Sequence, residues 1–250
     1  MANSQSGESV VHRVARILMC FDADHPELSA SELAVRAGLA SSTAHRLAAE
    51  MAGEGLLWRT GRGRFRVGLR LWEASQRGSS FKDFAQAALP FMEAVHVTLR
   101  QNVSLSILDR RAREVVYLER LAYQGAQGDL TKVAIRQPVL ACAPGLAMLA
   151  HSSPALQDEV LASAWDPATV RSGATEGHLR RLMAGARTDG YVHLRGVQVA
   201  GLTGLAAPVL GPRGAVVGAM AVVQTLAEVN LAVQVPVLLS AVRGLSRSLA

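Results

Sequence analysis

Arg59, Arg62, Arg64, Arg66 and Arg70 fall within a dozen residues, and no aspartate or glutamate lies between Gly55 and Leu71. A guanidinium grips phosphate oxygens bidentately, so this run has the chemistry to hold a polyanion. Just upstream, Ser41, Ser42, Thr43, His45 and Arg46 bring short hydroxyls and two basic side chains together. Such groups hydrogen-bond both phosphates and base edges. Nothing comparable exists for catalysis. Neither GxSxG nor a Walker loop occurs, and Gly61-Arg62-Gly63 lacks the last glycine and the βαβ setting of a dinucleotide fold. The histidines (His12, His25, His45, His96, His151, His178 and His193) show no metal-ligand spacing. Cys142 reads as a small buried residue rather than an activated thiol. No enzyme, cofactor or metal site is expected.

The chain has 250 residues, 50% hydrophobic and 18% charged, enough for two modest domains with cores of their own. Its formal charge of +6 suits a nucleic acid, although all but Lys82 and Lys132 of its cations are arginine, a bias that composition alone can produce. The apolar stretches 141–150 and 229–242 are too short or too interrupted to span a bilayer of about 30 Å. With no secretory leader in the opening MANSQSGESVVHRV and only Cys20 and Cys142 as cysteines, a cytoplasmic protein without membrane partners is expected.

The elements that must position the polar residues follow from periodicity. Helical spacing runs from Ser9, a cap, to Asp22, with Cys20 in its core. Ser29 or Ser31 caps a second helix that Gly38 ends, and Ser41 or Ser42 caps a third, running to Gly53 or Gly55. Ala34, Gly38, Ala44 and Leu47 have the small-residue, turn and apolar pattern of a helix-turn-helix. Strands 56–59 and 64–67 around Thr60-Gly61-Arg62-Gly63 add a hairpin, the wing of a winged helix. Beyond it, helices are expected over 69–76 and 81–100, with a bend or new start at Pro90. Strands 103–109 and 114–121 form a hairpin, 131–136 a short strand, and 143–151, 155–164 and 176–187 helices. A second hairpin pairs 201–210 with 215–224 before a last helix over 231–249, giving an α+β antiparallel-sheet domain.

SSTAHRL and EGLLWRTGRGRFRVGLRLWE resemble the winged helix-turn-helix of IclR-type transcriptional regulators. The likeness continues in order through the run from Glu114 to Arg120, 138–150, Gly190-Tyr191, the strand 205–209 and the strand 217–222. The resemblance implies a DNA-binding domain over 1–68, a linker helix over 69–80, and a GAF/PAS-like effector-binding and oligomerisation domain over 81–250. It also implies a homodimer or dimer of dimers on a pseudo-palindromic double-stranded operator, acting as a repressor.

Within that frame Ser41, Ser42, Thr43, His45 and Arg46 would face DNA from the recognition helix, with Arg46 able to read a guanine through two hydrogen bonds. Arg62 and Arg64 would reach phosphates or the minor groove from the hairpin tip. Arg59, Arg66 and Arg70 would divide between solvent and the linker. The resemblance places a small effector between the sheet and 138–150, lined here by Leu130, Leu140, Cys142, Ala143, Pro144, Gly145, Gly204, Leu205, Ala221 and Val223. Leucines stand at the family's histidine and lysine positions (Leu140 and Leu146), Gly204 at a common cysteine, and Ala221 and Val223 at common hydroxyls. An unpaired buried carboxylate is costly. The expected effector is therefore uncharged or mainly apolar, or one large enough for its charge to reach Arg136. The alternative is a DNA-binding regulator without a metabolite ligand, controlled by a protein partner or by its level alone.

Overall fold

Ser9 accepts a hydrogen bond from the His12 amide and starts α1 (Val10–Leu18). The computed structural model describes residues 8–124, 132–196 and 201–249, and the chain divides into two units between Ser80 and Phe81. α1 stops short of the expected Asp22, because Cys20 and Phe21 leave the helix to pack in the same core. Ser29 and Glu32 form a reciprocal capping box that opens α2 (Ala30–Ala37). Gly38 ends it at φ +59°, and a Cβ there would meet the Arg16 guanidinium, which bonds the Ala37 carbonyl. Only glycine suits both demands.

α3 (Ser41–Gly53) follows with Ala40 in the cap position and no side-chain cap bond. The expectation that Ser41 or Ser42 caps it is thereby corrected. The tight Gly38 turn brings the chain into the helix one residue early, leaving both hydroxyls in the first turn, facing outward. β1 (Leu57–Arg59) and β2 (Phe65–Val67) pair antiparallel, with Leu28 bridging to Phe65. Ile17, Leu33, Leu47, Leu57 and Phe65 are almost wholly buried and join the three helices to this hairpin. α4 (Leu69–Gly78) buries no residue.

The second unit begins with α5 (Ser80–Leu99), which runs unbroken past Pro90. No new start occurs there: Pro90 lies on the exposed side, while Ala88, Met92 and Val95 hold the buried side. In chain order come β3 (Asn102–Asp109), β4 (Glu114–Leu121), β5 (Arg136–Pro138), α6 (Ala143–Ala150), α7 (Pro154–Ala162), α8 (Pro167–Arg171), α9 (Glu176–Asp189), β6 (Val192–Arg195), β7 (Leu202–Leu210), β8 (Val216–Thr225) and α10 (Leu231–Ser248). The expected strand 131–136 is observed only as β5, shifted toward Pro138; Thr131 lies outside the described residues. α8 and β6 are additions, each too short to show a period.

Among the described residues six strands make one antiparallel sheet, ordered β5-β4-β3-β8-β7-β6. Side chains alternate between its faces. Val103, Leu105, Leu205, Val209, Met220 and Val222 pack with α5 and α10 on one face, while Ala206 and Ala221 meet α6 and α9 on the other. Every residue of α6 is buried. Gly145 allows this, since a Cβ there would collide with the Val139 carbonyl. No described helix is long and apolar enough to cross a membrane.

Candidate nucleic-acid interface and effector site

α3 turns Ala44, Leu47, Ala48 and Met51 into the first unit's core. The same 3.6-residue period leaves Ser41, Ser42, His45 and Arg46 exposed and Thr43 half-buried. All five sequence-predicted residues therefore share the outward N-terminal portion of one helix. Arg46 donates to Glu50 at 2.6 Å across one helical turn. Exposed pairs of this kind contribute about 0.2 to 1 kcal/mol, less than the roughly 1 to 3 kcal/mol of a bidentate guanine contact, so Glu50 holds Arg46 without locking it.

The wing arginines are not equivalent. Arg62 sits exposed at the tip of the turn between β1 and β2. Arg64 instead folds inward, at 2.7 Å from Glu32 and donating to the Glu27 carbonyl at 3.0 Å. Arg66 binds Glu27 through Nε and Nη2 at 3.0 and 2.8 Å. The Arg66 and Thr60 hydrogen bonds hold the Glu27 carboxyl below its ordinary pKa. Arg70 donates to the Glu54 carbonyl. The acid-free stretch is thus partly neutralised from α2 and its approach, through Arg64 and Arg66, and of the two expected tip arginines the geometry brings only Arg62 to the tip.

In the second unit, the 3-10 turn Val139–Ala141 and the first turn of α6 carry Leu140, Cys142, Ala143, Pro144 and Gly145. Ala143 lies over Gly204, where a Cβ would come within 3.1 Å of its own. Gly204 pairs with Val223, and Ala221 pairs with both Ala206 and Ser104, so Gly204, Ala221 and Val223 share the α6 face. Leu205 does not. It alternates to the opposite face among α5 and α10, which corrects its expected place in the lining. Leu130 lies outside the described residues. Arg136, the expected partner for an effector's charge, is held by Asp109 and Glu114 at 2.9 and 3.0 Å. Burial pushes the Cys142 thiol up to about 12, and it donates to the Pro138 carbonyl at 3.6 Å, which makes it an inert core residue.

The family model of the bacterial transcriptional regulator IclR C-terminal domain matches residues 79–250, and that of the IclR helix-turn-helix domain matches 10–61. The chain belongs to the IclR family. A solved IclR homologue from Microbacterium hydrocarbonoxydans, complexed with 4-hydroxybenzoate, is 39% identical over 96% of this chain and 99% of its own, with a TM-score of 0.87. Another, from Microbacterium sp. strain HM58-2, is 38% identical over 97% and 98%, with a TM-score of 0.60. The HTH-type transcriptional regulator Rv1719 of Mycobacterium tuberculosis is 29% identical over 82% of this chain and 78% of its own. This IclR-family chain is accordingly a transcriptional regulator with an N-terminal helix-turn-helix domain and a C-terminal effector-binding domain, and its relatives are regulators rather than enzymes.

One group of the IclR-family site escaped the sequence reading. Ser104 and Ser106 on β3 turn toward α6; Ser106 donates to the Ala219 carbonyl at 3.4 Å, whereas the buried Ser104 Oγ has no hydrogen-bond partner among the described residues. In VSLSIL the alternation looks like a strand with one wet face. Only the packing of α6 makes that face an interior. On the neighbouring strand, the Tyr117 hydroxyl donates to Gln137 Oε1 at 2.7 Å and so is already occupied.

Proposed function

We propose that this chain is a repressor acting in the cytoplasm, which reads a pseudo-palindromic operator as a homodimer or dimer of dimers. Residues 1–68 hold the DNA, residues 69–80 connect, and residues 81–250 bind an effector and assemble the oligomer. The carrying observation is the outward polar face Ser41, Ser42, Thr43, His45 and Arg46, mounted on a buried apolar face within a helix-turn-helix. Arg62 adds a phosphate or minor-groove contact, while Arg64 serves mainly to pin the wing to α2.

The effector of this reading is a small, mainly apolar molecule held where the start of α6 meets Gly204, Ala221 and Val223, with the Ser104 hydroxyl as a polar anchor. Its scale is that of 4-hydroxybenzoate, the single-ring molecule complexed with the 39%-identical homologue. That homologue also favours a second reading, in which the effector is an aromatic acid. Either molecule shifts operator affinity only by its preference for one of two arrangements, typically about 1 to 3 kcal/mol.

Footprinting upstream of the chain's own and neighbouring transcription units, at two salt concentrations, tests the DNA claim. Protection of two half-sites separated by about 34 to 36 Å or a multiple is expected. Absence of protection even in dilute buffer overturns it. Adding 4-hydroxybenzoate or its neutral amide tests the effector, since one of them is expected to alter the footprint.

A further inference from the structure

β3 carries two buried polar side chains on the sheet face that α6 covers. Asn102 pairs with Val223 and Ser104 with Ala221, and the next partners in these rows, on β7, are Gly204 and Ala206. Residues directly opposite one another in antiparallel strands share a face, and Ala206 and Ala221 meet α6 on theirs. Val103 and Leu105 alternate to the other face and join the core with α5 and α10. Each row therefore holds one of these polar side chains beside a small or apolar neighbour on β8.

Asn102 is 3% exposed and Ser104 2%, and neither Asn102 Nδ2 nor Ser104 Oγ has a hydrogen-bond partner among the described residues. Turning the Asn102 amide round does not remove the deficit. Its Oδ1 accepts from the Tyr123 amide at 2.9 Å, so the unmet atom is the nitrogen, which can only donate. The Ser104 hydroxyl can donate or accept. Folded proteins leave few buried polar groups unmet, and the Val223 and Ala221 side chains beside these two offer no hydrogen bond. Two residues of strand separate the pair, about 6.7 Å, the span of one ring with a polar group at each end.

We propose that Asn102 is a specificity-determining residue for the effector: its amide donates to a neutral carbonyl oxygen at one end of a single-ring ligand, while Ser104 holds a hydroxyl at the other. Both protein groups are uncharged, so a ketone or amide oxygen satisfies Asn102 without the cost of burying a charge. The proposal rests on the reading of the α6 face as the effector site and deepens it by naming the group that is read. Asn102 acts here on selectivity, through contact with the ligand, and its bond to Tyr123 only fixes which way the donor points.

Calorimetric titration of the full chain with 4-hydroxyacetophenone and 4-ethylphenol tests the assignment, because the two differ only by a carbonyl in place of a methylene. The wild-type chain is expected to bind the ketone about tenfold more tightly. Asn102→Ala and Asn102→Leu are both expected to erase that gap, whereas Ser104→Ala weakens both ligands alike and preserves it. A merely structural role for Asn102 would weaken both ligands equally and leave the gap in place. Equal wild-type affinity for the two compounds, or an undiminished gap in a folded Asn102 variant, overturns the proposal. So does failure of the wild-type chain to bind the ketone. An operator footprint that still responds to 4-hydroxybenzoate then leaves the effector reading standing, so the two failures are distinguishable.

Discussion

At the scale of single residues, similar side chains have different work because of their partners. Arg46 is exposed and tied only to Glu50. Arg46→Ala is expected to change thermal stability little and to lower discrimination against operators altered at one base pair by about 1 to 3 kcal/mol, read by competition binding. Unchanged selectivity would remove Arg46 from base reading. Arg62→Ala is expected to flatten the slope of log affinity against log salt by about 0.9, the share of one neutralised phosphate on duplex DNA. Arg64→Ala, which strips Glu32 and the Glu27 carbonyl of their partner, is expected to destabilise the first unit and alter the salt slope less than Arg62→Ala does. Ser104 has the opposite signature. An unpaired buried hydroxyl costs about 1 to 3 kcal/mol, so Ser104→Ala leaves the unliganded melting temperature unchanged or higher. The same variant diminishes the melting shift produced by an effector bound at the start of α6.

At the scale of elements, caps and close approaches hold the reading head and the effector floor in place. Ser29→Ala removes the α2 cap and is expected to cost about 0.5 to 2 kcal/mol in denaturant unfolding. The Ser29 amide and hydroxyl, followed by Arg64, hold the Glu32 carboxyl at about 2, against an ordinary value of 4.5. A depressed pKa contributes stability that is complete above the ordinary value and is lost as pH falls through the depressed one. Glu32→Gln keeps the capping geometry without the titration, so the melting-temperature gap between wild type and variant should narrow between pH 4.5 and about 2. A constant gap counts against the box. In the second unit, Gly145→Ala drives a Cβ into the Val139 backbone and must lift α6 from its turn. The large cost of such overpacking, about 1 to 3 kcal/mol or more, is checked by chemical unfolding.

At the scale of the whole molecule, the run of arginines from Arg59 to Arg70 overstates the charge that DNA meets, because Glu27 and Glu32 offset part of the wing. Effector binding stabilises whichever unit holds the ligand. At about one hundred times its dissociation constant it adds about 2.7 kcal/mol, visible in calorimetry as an upward shift of that unit's transition. A shift confined to residues 1–80 would contradict an effector site in the second unit.

The helix-turn-helix was legible because its signals are local: a serine cap at Ser29 or Ser31, Gly38 at the turn, and apolar residues at helical spacing along α3. The strands β3, β4, β7 and β8 were legible for the same reason, their alternation and turns lying in contiguous residues. Tertiary structure alone decided which arginines stay free, since Glu27 reaches Arg66 across 39 positions of chain. It also decided that Leu205 turns away from α6 and that Ser104 is interior. A shift of one residue in strand register exchanges the two faces of a sheet, and ion pairs join segments distant in sequence. No local pattern specifies either.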